Sequence, residues 1–471
     1  MSDSRDFDVI VIGAGAVGEN VADRVVRAGL SAALIEAELV GGECSYWACM
    51  PSKALLRPGT ALQAATAVAG SREAVTGTLD AQQVLNRRTE FTSNWDDSSQ
   101  ADWVKDSGIT LIRGTARLTG VRSVEVKHDD DVTPLTARVA VVLATGSTPS
   151  IPPVDGLDTV DFWGTREATS APQVPASLAV LGGGVAGTEL AQAFARLGAT
   201  VTIIARSGLL SNYPAPASEL VRQGLESDGV DIRTDTATES VTQHEDGTVT
   251  VHLDGGETVT AEKLLVSTGR RPALAGLGLE DVGLEPKKLV IDPSGRVQGA
   301  DWLYAVGDAA GKVLLTHQGK YEARVTGSAI AARAAGTLGD AVEDWSAYAA
   351  SADQYAVPQV VFTDPEIAMV GRTLQQARDA GLNVSDTSLE IAVAGSALHS
   401  DGYHGWAQMV VDEDRKVLVG MTFAGPDVAE LLHAATIAIA GEVPLDRLWH
   451  AVPAYPTISE VWLRLLEKYG L

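Results

Sequence analysis

The sequence predicts an α/β fold that contains two Rossmann-like dinucleotide-binding domains. Two glycine patterns support this prediction, one near the amino terminus and one near the middle of the chain. Each lies between two apolar runs in the order strand, turn, helix and strand, which is the context that a dinucleotide fingerprint requires. The only two cysteines, Cys44 and Cys49, follow the first pattern closely. This arrangement predicts a redox-active sulfur pair beside a bound nucleotide.

The first pattern is G-x-G-x-x-G at Gly13, Gly15 and Gly18, after an apolar run over residues 8–12. The first glycine permits a tight turn, and the second lets the backbone approach a pyrophosphate at a helix amino terminus. The third allows close packing of the helix on the strand. The next predicted strand ends at Glu36, whose carboxylate is placed to accept hydrogen bonds from a ribose.

The same pattern recurs at Gly182, Gly184 and Gly187. Two such units in one chain imply two bound dinucleotides. Where the first unit has a carboxylate after its second strand, the second unit has Arg206. An arginine at this position suits the 2′-phosphate of NADPH, so the sequence predicts NADPH rather than NADH at the second site.

Three further segments end apolar runs with a glycine turn. They are Ala144-Thr145-Gly146, Gly269-Arg270 and Gly307-Asp308. Taken singly, each is an ordinary exit from a strand into a loop. Their order along the chain, beside two fingerprints, makes them candidates for cofactor binding.

The cysteine pair has three interpretations. Cysteine is among the most buried residue types, so two inert core thiols are one of them. A metal site needs about four ligands, and no histidine lies near the pair, so no metal site is predicted. A short-range pair in a long chain with no other cysteine favours redox chemistry in an intracellular protein.

The charge balance excludes several classes of partner. With 36 basic and 61 acidic residues, the formal net charge is -25, which repels nucleic acid and anionic lipid. The apolar stretches are far shorter than the roughly 20 residues of a membrane-spanning helix. The amino terminus is acidic where a secretory signal would be basic and then apolar. We therefore expect a cytoplasmic protein without nucleic-acid or membrane partners.

These motifs in this order resemble the class I pyridine nucleotide–disulfide oxidoreductases, the family of dihydrolipoamide dehydrogenase, glutathione reductase and mercuric reductase. The resemblance also rests on GGEC, which includes Gly42, on CMPSK, and on VVFTDPEIAMVG at 360–371, and it covers almost the whole chain. It implies a homodimer whose active site is shared between the two chains. The implied domains are an FAD-binding domain at 1–150 and 271–345, an NADPH-binding domain at 151–270 and a C-terminal α+β dimerisation domain at 346–471.

The resemblance also implies roles for single residues. Cys49 matches the cysteine that exchanges electrons with the flavin, and Cys44 matches the one that attacks an external acceptor. Lys53 and Glu189 match an ion pair beside the reactive nitrogen of the flavin.

Near the other end of the flavin, Asp308 matches the carboxylate that holds the ribityl chain. His317 matches the helix start that faces the pyrimidine end of the ring, and its alternative is a helix-cap residue. The predicted cofactor-binding residues are Gly13, Gly15, Gly18, Glu36, Gly42, Lys53, Ala144, Thr145, Gly146, Gly182, Gly184, Gly187, Arg206, Gly269, Arg270, Gly307, Asp308 and His317.

Two departures from the family pattern bear on the electron acceptor. Tyr455 occupies the position of the usual catalytic histidine, while Glu460 remains as the orienting carboxylate. A phenol has a pKa of about 10 and is a poor base at pH 7, but it can donate a proton or hydrogen-bond an acceptor. Tyr46 and Trp47 stand between the cysteines, where the family usually has smaller residues. They restrict access to Cys44, stack on a flat acceptor such as a quinone, or pack in the core.

The predicted reaction passes electrons from NADPH through FAD to the Cys44–Cys49 disulfide, and on to a small-molecule acceptor of the disulfide or another type. The alternative is an NAD(P)H:quinone reductase, a diaphorase in which the flavin reduces the acceptor directly. Mercuric reductases also have tyrosine at the position of Tyr455, but they carry extra carboxy-terminal cysteines that this chain lacks, which disfavours mercuric-ion reduction. A non-catalytic complex subunit would have no need of both cysteines and both fingerprints.

Overall fold

The computed structural model describes residues 6–471. The acidic start of the chain, on which the expected location partly rests, lies in part outside the described residues. The described chain divides into two compact units. The first comprises the chain up to Met50, Thr89–Ser150 and Arg270–Asp353, and the second comprises Pro51–Arg88, Ile151–Gly269 and Gln354–Leu471.

Helices and strands alternate through most of the chain. The helices are α1 (Ala16–Arg27), α2 (Gly42–Tyr46), α3 (Cys49–Thr66), α4 (Ala81–Phe91), α5 (Ser98–Asp106), α6 (Thr165–Ser170), α7 (Val185–Arg196), α8 (Ala215–Ser227), α9 (Thr316–Ala334), α10 (Ala352–Tyr355), α11 (Leu374–Asp379), α12 (Ala394–His399), α13 (Leu432–Ala440), α14 (Leu445–Leu448) and α15 (Glu460–Tyr469). The strands are β1 (Asp6–Ile12), β2 (Ala32–Glu36), β3 (Thr110–Arg113), β4 (Thr115–Gly120), β5 (Ser123–His128), β6 (Asp131–Leu143), β7 (Ser147–Pro149), β8 (Ser177–Leu181), β9 (Thr200–Ile204), β10 (Asp231–Arg233), β11 (Thr238–Gln243), β12 (Val249–Leu253), β13 (Thr258–Ala261), β14 (Lys263–Val266), β15 (Arg270–Pro272), β16 (Leu303–Ala305), β17 (Pro358–Val361), β18 (Glu366–Gly371), β19 (Val384–Glu390), β20 (Trp406–Asp412) and β21 (Val417–Gly425).

The first unit is built on a seven-stranded sheet in the order β3-β2-β1-β6-β5-β4, with β16 also paired to β6. Strands β1, β2, β3, β6 and β16 run parallel, and β4 and β5 pair antiparallel. In the register of the central strand, Val9 lies opposite Ala32 on one side and Ala140 on the other. Side chains from both faces of β1 belong to apolar clusters, so the sequence of this strand is a continuous apolar run and does not alternate between apolar and polar residues.

The second unit contains three sheets. The strands of the second predicted fingerprint form a parallel sheet in the order β10-β9-β8-β14, with the antiparallel strands β11-β12-β13 forming another. Helix α7 packs its apolar face on β8 and β9, where Phe194 and Leu190 are fully buried. The carboxy-terminal part forms a five-stranded antiparallel sheet in the order β17-β18-β21-β20-β19. Its strand β21 is buried along its whole length.

The three glycines of the first fingerprint lie in three different structural environments. Gly13 has a φ of +102°, in the left-handed region that side chains disfavour. A Cβ at Gly18 would meet the carbonyl oxygen of Gly13 at 1.9 Å, so close packing excludes any side chain there. A Cβ at Gly15 would meet only the Cα of Gly42, at 3.9 Å. Packing therefore requires Gly13 and Gly18, whereas Gly15 leaves space at the start of α1.

The second fingerprint repeats this division. Gly182 has a φ of +118°, and a Cβ at Gly187 would meet the Gly182 carbonyl oxygen at 2.6 Å. A Cβ at Gly184, the residue before α7, would meet nothing within 4 Å. The middle glycine is again the one that the protein's own packing does not require.

Substitutions at the second fingerprint should distinguish a glycine that packing requires from a glycine with open space around it. Gly187→Ala should lower the free energy of unfolding by about 1–3 kcal/mol, because its Cβ meets a backbone oxygen that cannot rotate away. Gly184→Ser should stay within about 0.5 kcal/mol of the parent, because the site is open and serine is a good helix N-cap. Urea unfolding of both variants checks this, and equal losses would contradict it.

Candidate active site

The two cysteines lie in two consecutive helices. Cys44 is in α2 and Cys49 is the first residue of α3, and their thiols are close enough to hydrogen-bond each other. The Sγ atom of Cys49 also lies 3.3 Å from the Oγ1 atom of Thr316, the first residue of α9. Amino-terminal turns of helices favour negative charge, so this surrounding suits a thiolate. The structure therefore brings the two thiols and the hydroxyl of Thr316 together.

The thiol of Cys44 has a high proton affinity. The pKa of the Cys44 thiol is raised well above its ordinary value, first by the hydrogen bond with Cys49 and then by burial. The hydroxyl of Thr316 and the positive charge of Lys320 act in the opposite direction. When both sulfurs are reduced, burial and this hydrogen bond thus favour the protonated form of Cys44.

Thr316 was missed by the sequence analysis. Its signal was its position next to His317 at a predicted helix start, since a side chain at such a position faces whatever lies beyond the helix. His317 itself is exposed in the first turn of α9.

The aromatic pair between the cysteines divides into a buried and a half-buried residue. Tyr46 is 3% exposed, and its hydroxyl lies 3.3 Å from the Oε1 atom of Gln100. Trp47 contacts it edge to face, with ring centroids 5.7 Å apart. Because Tyr46 is buried and hydrogen-bonded, it packs in the core and cannot stack on an acceptor.

The predicted partners Lys53 and Glu189 form an ion pair. The Nζ atom of Lys53 lies 2.7 Å from the Oε2 atom of Glu189, whose side chain is 2% exposed. The other carboxylate oxygen of Glu189 accepts the backbone N–H of Phe362 at 2.9 Å, and the ammonium lies 4.9 Å from the centre of the Phe362 ring. A buried carboxylate needs such partners, because an uncompensated charge costs several kcal/mol. Phe362 belongs to the VVFTDPEIAMVG segment, but the sequence did not indicate this contact.

Glu36 is held at the turn of the first fingerprint. Its Oε2 atom accepts the backbone N–H of Ala14 at 2.7 Å, and its Oε1 atom accepts that of Glu38 at 2.8 Å. Burial raises the pKa of this carboxyl, and the two backbone hydrogen bonds oppose that shift. The carboxylate is thus oriented before any ligand arrives, and each oxygen retains a free lone pair.

The glycine turns at the strand ends are joined by side-chain contacts. The Oδ2 atom of Asp308 accepts the hydroxyl of Ser147 at 2.5 Å and lies 3.6 Å from Arg270. Thr145 donates its hydroxyl to the carbonyl of Ala273 at 2.8 Å. Ala144 lies against the first fingerprint, since a Cβ at Gly13 would meet its carbonyl oxygen at 2.4 Å. Left-handed backbone conformations occur at Gly42, Gly146, Gly269 and Gly307, with φ of +60°, +72°, +118° and +61°.

Arg206 is exposed just beyond the end of β9. Within the described part of the chain, it forms no ion pair. By contrast, Arg233 at the end of the neighbouring strand β10 contacts Asp231 at 2.9 Å and Glu257 at 3.1 Å. The guanidinium of Arg206 is therefore open to an external anion.

Tyr455 and Glu460 differ sharply in exposure. Tyr455 is 75% exposed, whereas Glu460 is buried as the first residue of α15. The Oε1 atom of Glu460 lies 3.2 Å from Arg464. Its Oε2 atom is buried and has no hydrogen-bond donor among residues 6–471. One carboxylate oxygen thus remains ready to accept a hydrogen bond.

The described residues form neither a metal-binding cluster nor a membrane-spanning helix. Over the described residues, no three His, Cys, Asp or Glu side chains are grouped so that they could hold a metal ion. None of the helices formed by these residues combines the length and apolar character needed to cross a bilayer.

A buried carboxyl supports the Gly307-Asp308 turn. Glu322 on α9 accepts the backbone N–H of Gly307 with its Oε2 atom at 2.6 Å. Burial raises the pKa of Glu322 to about 8, and the negative charge of the neighbouring Asp353 acts in the same direction. Gln318 donates to the Oδ1 atom of Asp353 at 2.6 Å. Sequence reasoning did not find this carboxyl pair.

The carboxyl of Glu322 should make stability depend on pH. Its pKa is raised from 4.5 to about 8 in the folded state, so its stabilising contribution is complete below pH 4.5 and is lost as pH rises to about 8. Glu322→Gln should remove part of this loss, by at most about 1.4 kcal/mol for each pH unit in that interval. Unfolding free energies at several pH values between these limits measure the difference.

The exposed Glu125→Gln variant of the same unit is the control and should keep the parental pH profile. Parallel profiles for Glu322→Gln and the parent would contradict the prediction.

Comparison with known proteins places this geometry in a family. Residues 7–336 match the model of the pyridine nucleotide-disulphide oxidoreductases, and residues 357–465 match the model of their dimerisation domain. The chain is 32% identical to the dihydrolipoyl dehydrogenase of Thermus scotoductus, over 98% of this chain and 97% of that relative. It is 29% identical to the mercuric reductase of Staphylococcus aureus, over 97% of this chain and 81% of that relative.

The fold is also similar to that of a solved structure. The Cu(II) complex of the HOCl-induced flavoprotein disulfide reductase RclA from Escherichia coli superposes with a TM-score of 0.83 and 24% identity, over 98% of this chain and 99% of that chain. The predicted fold class, with Rossmann-like sheets and a C-terminal dimerisation domain, is thereby confirmed.

Family membership also establishes the general chemistry. Enzymes of this family use FAD and a pyridine nucleotide, and pass electrons from the nucleotide through the flavin to a disulfide. The predicted class of reaction is confirmed at this level. Because both family models match and the likeness to these enzymes extends over nearly the full length, the chain belongs to the pyridine nucleotide-disulphide oxidoreductase family.

Proposed function

We propose that this protein is an NADPH-dependent flavoprotein reductase in which Cys44 passes electrons to a small acceptor of the disulfide type. The observation that carries the proposal is the contact between the Cys44 and Cys49 thiols at the starts of α3 and α9. Family membership leaves the acceptor open, since the relatives include both dihydrolipoyl dehydrogenases and mercuric reductases.

The residues of the first unit fit FAD. Gly15 leaves space at the start of α1, where backbone N–H groups can bind a pyrophosphate. Glu36 is oriented for a ribose, and Asp308 is held by Ser147 for a polyol chain. The chemistry that the flavin supplies when bound is acceptance of a hydride from the pyridine nucleotide and transfer of two electrons to the disulfide. The described residues therefore supply a donor and acceptor set of the kind that such a cofactor requires.

We assign Lys53 and Glu189 an orienting role. The ammonium of Lys53 carries three N–H donors, and Glu189 takes one of them at 2.7 Å. Since Glu189 is buried and also bound by a backbone N–H, it restricts where the ammonium can lie. The pair thus presents a fixed positive charge to a neighbouring electron-rich group.

The proposed reaction at sulfur has balanced steps. Two electrons break the Cys44–Cys49 bond, and the pair takes up a proton, which Cys44 retains because its pKa is raised. After that proton leaves, the Cys44 thiolate attacks one sulfur of the acceptor disulfide, and the first thiol product departs with a proton. The Cys49 thiolate then attacks Cys44, which reforms the internal disulfide and releases the second product as a thiolate, and this thiolate takes a proton from water. The sum is oxidation of one NADPH to NADP+, uptake of one proton from solution, and reduction of one disulfide to two thiols.

Tyr455 is proposed as the proton donor to the departing thiolate. Its side chain is exposed, and Glu460 nearby in sequence has an oxygen without a donor. Both features favour a site that a second chain completes. The match to a dimerisation domain supports a homodimer, while the sharing of the active site is part of the proposal. The cytoplasmic location stays a prediction from the sequence.

Cofactor preference gives one test. Arg206→Gln should raise the KM for NADPH at least about tenfold, because a charge-assisted hydrogen bond to a phosphate is worth roughly 1.5–3 kcal/mol. The KM for NADH should change much less, since NADH lacks the 2′-phosphate. Steady-state kinetics with both nucleotides measure the ratio.

The matched control is Arg233→Gln, because Arg233 also ends a strand of this sheet but is bound by Asp231 and Glu257. It should leave the nucleotide preference unchanged. A parental preference in Arg206→Gln would argue against NADPH recognition at this position.

The acceptor class gives a second test. Cys44→Ser should lower turnover with low-molecular-weight disulfides at least about 100-fold, because a hydroxyl cannot replace the thiolate nucleophile. Ser45→Ala, which keeps both thiols, is the control and should retain parental turnover. NADPH oxidation is followed with a disulfide, a quinone and a metal ion as separate acceptors.

Retention of quinone turnover in Cys44→Ser would favour the alternative function, the NAD(P)H:quinone reductase. If Cys44→Ser retained disulfide turnover, the proposed role of Cys44 would be wrong.

A further inference from the structure

The segment that carries Cys44 is held at its end by a neighbouring stretch of chain. Trp95 donates its Nε1–H to the backbone carbonyl of Tyr46 at 3.2 Å. The hydroxyl of Tyr46 lies 3.3 Å from the Oε1 atom of Gln100. Two contacts from residues outside the redox segment therefore converge on Tyr46, which follows Cys44 by less than one helical turn.

The same stretch holds the beginning of that segment. Asp97 accepts the backbone N–H of Val40 at 2.6 Å and is itself fixed by Arg113 at 2.7 Å. The side chain of Gln100 packs against the backbone of Gly41, since a Cβ added at Gly41 would lie 1.8 Å from the Oε1 atom of Gln100. We call residues 93–100 the clamp. It contacts the chain both before and after Cys44.

The backbone of the clamp is strained. Ser93, Asn94 and Trp95 are three consecutive residues with positive φ, at +50°, +55° and +56°. Each such residue costs roughly 1–2 kcal/mol relative to a right-handed conformation. Strain of this kind persists only where surrounding contacts determine the conformation, and it is typical of functional sites. The contacts with residues 40–46 are among those that do so here.

The helices on which the two cysteines lie differ in length. Cys49 begins α3, a helix of 18 residues, whereas Cys44 lies in α2, which has five. A single helical turn is not stable by itself, so tertiary contacts must set the position of α2. The clamp supplies such contacts. The distance between the two sulfurs thus depends on it.

We propose that Trp95 and Gln100, acting through Tyr46, are positioning residues that set the reduction potential of the Cys44–Cys49 disulfide, an inference that rests on the proposed redox role of this pair. Reduction adds two electrons and breaks the one S–S bond, with the proton uptake given above. Reoxidation depends on the effective concentration of one thiol at the other. A clamp that keeps the thiols close favours the disulfide and makes the potential more negative.

The test measures the potential of the cysteine couple in the holoenzyme. Trp95→Phe removes one N–H donor and keeps a ring, and Tyr46→Phe removes only the hydroxyl. Each protein is equilibrated with dithiothreitol buffers of graded ratio, quenched with acid and alkylated, and the thiols are counted by mass. Because the chain has only two cysteines, the count reports this couple alone.

We expect the disulfide to become about tenfold easier to reduce in at least one of the two variants, which corresponds to a potential about 30 mV less negative. Trp103→Phe is the matched control, since Trp103 lies on α5 and is 42% exposed, and it should keep the parental value. Parental potentials in both Trp95→Phe and Tyr46→Phe would overturn the inference, as would an equal shift in the control.

Two variants are used so that, if one fails to fold, the potential of the other decides the question. The experiment does not use an acceptor, so it separates this inference from the proposed function. If the parent formed no Cys44–Cys49 disulfide in any buffer, the proposed function would itself be overturned. If the parent titrated normally and both variants matched it, only the positioning role would be wrong.

Discussion

A contact between two glycine-bearing turns is the constraint on which the site depends. The Ala14 carbonyl accepts the N–H of Gly41 at 2.7 Å, and Gly15 and Gly41 form a parallel bridge. A Cβ at Gly42 would lie 2.9 Å from the Cα of Gly15, so the two backbones touch where no side chain fits. This contact joins the turn of the first fingerprint to the segment that carries Cys44.

The buried carboxyls Glu189 and Glu322 are stabilised in different ways. Removing Lys53 from its buried carboxylate partner would leave an uncompensated charge, and such losses are strongly destabilising. Glu322 avoids the problem differently, since its raised pKa keeps it protonated at neutral pH. Both carboxyls bind backbone N–H groups, at Phe362 and Gly307 respectively. These hydrogen bonds thus fix the chain at Phe362, just after β17, and at the Gly307 turn.

The cysteine pair combines two opposing influences. Burial and the hydrogen bond that the Cys44 thiol donates to Cys49 keep a proton on Cys44, whereas the Thr316 hydroxyl and the starts of two helices favour the anion. Such a balance suits a sulfur that must be a thiol at rest and a thiolate during attack. The clamp acts on the same pair through distance rather than charge.

The sequence by itself determined the local patterns of this protein. Glycine spacing, apolar runs and the cysteine pair predicted both βαβ units, and the resemblance they support predicted the contact between Lys53 and Glu189. These features depend on residue type and spacing along a short stretch, or on a family motif. Either can be recognised in the sequence alone.

The tertiary structure alone decided the contacts between distant residues. Thr316 reaches Cys49 across 267 positions, and Phe362 reaches Glu189 across 173. Thr316, Phe362, Glu322 and Trp95 do not belong to any periodic pattern in the sequence. Each of these side chains acquires its role only from the residues that the fold places against it. Whether Tyr46 faces an acceptor or the core was decided in the same way, by burial against Gln100. Such contacts arise when the chain closes long loops around a packed core, and composition and spacing carry no record of which residues then meet.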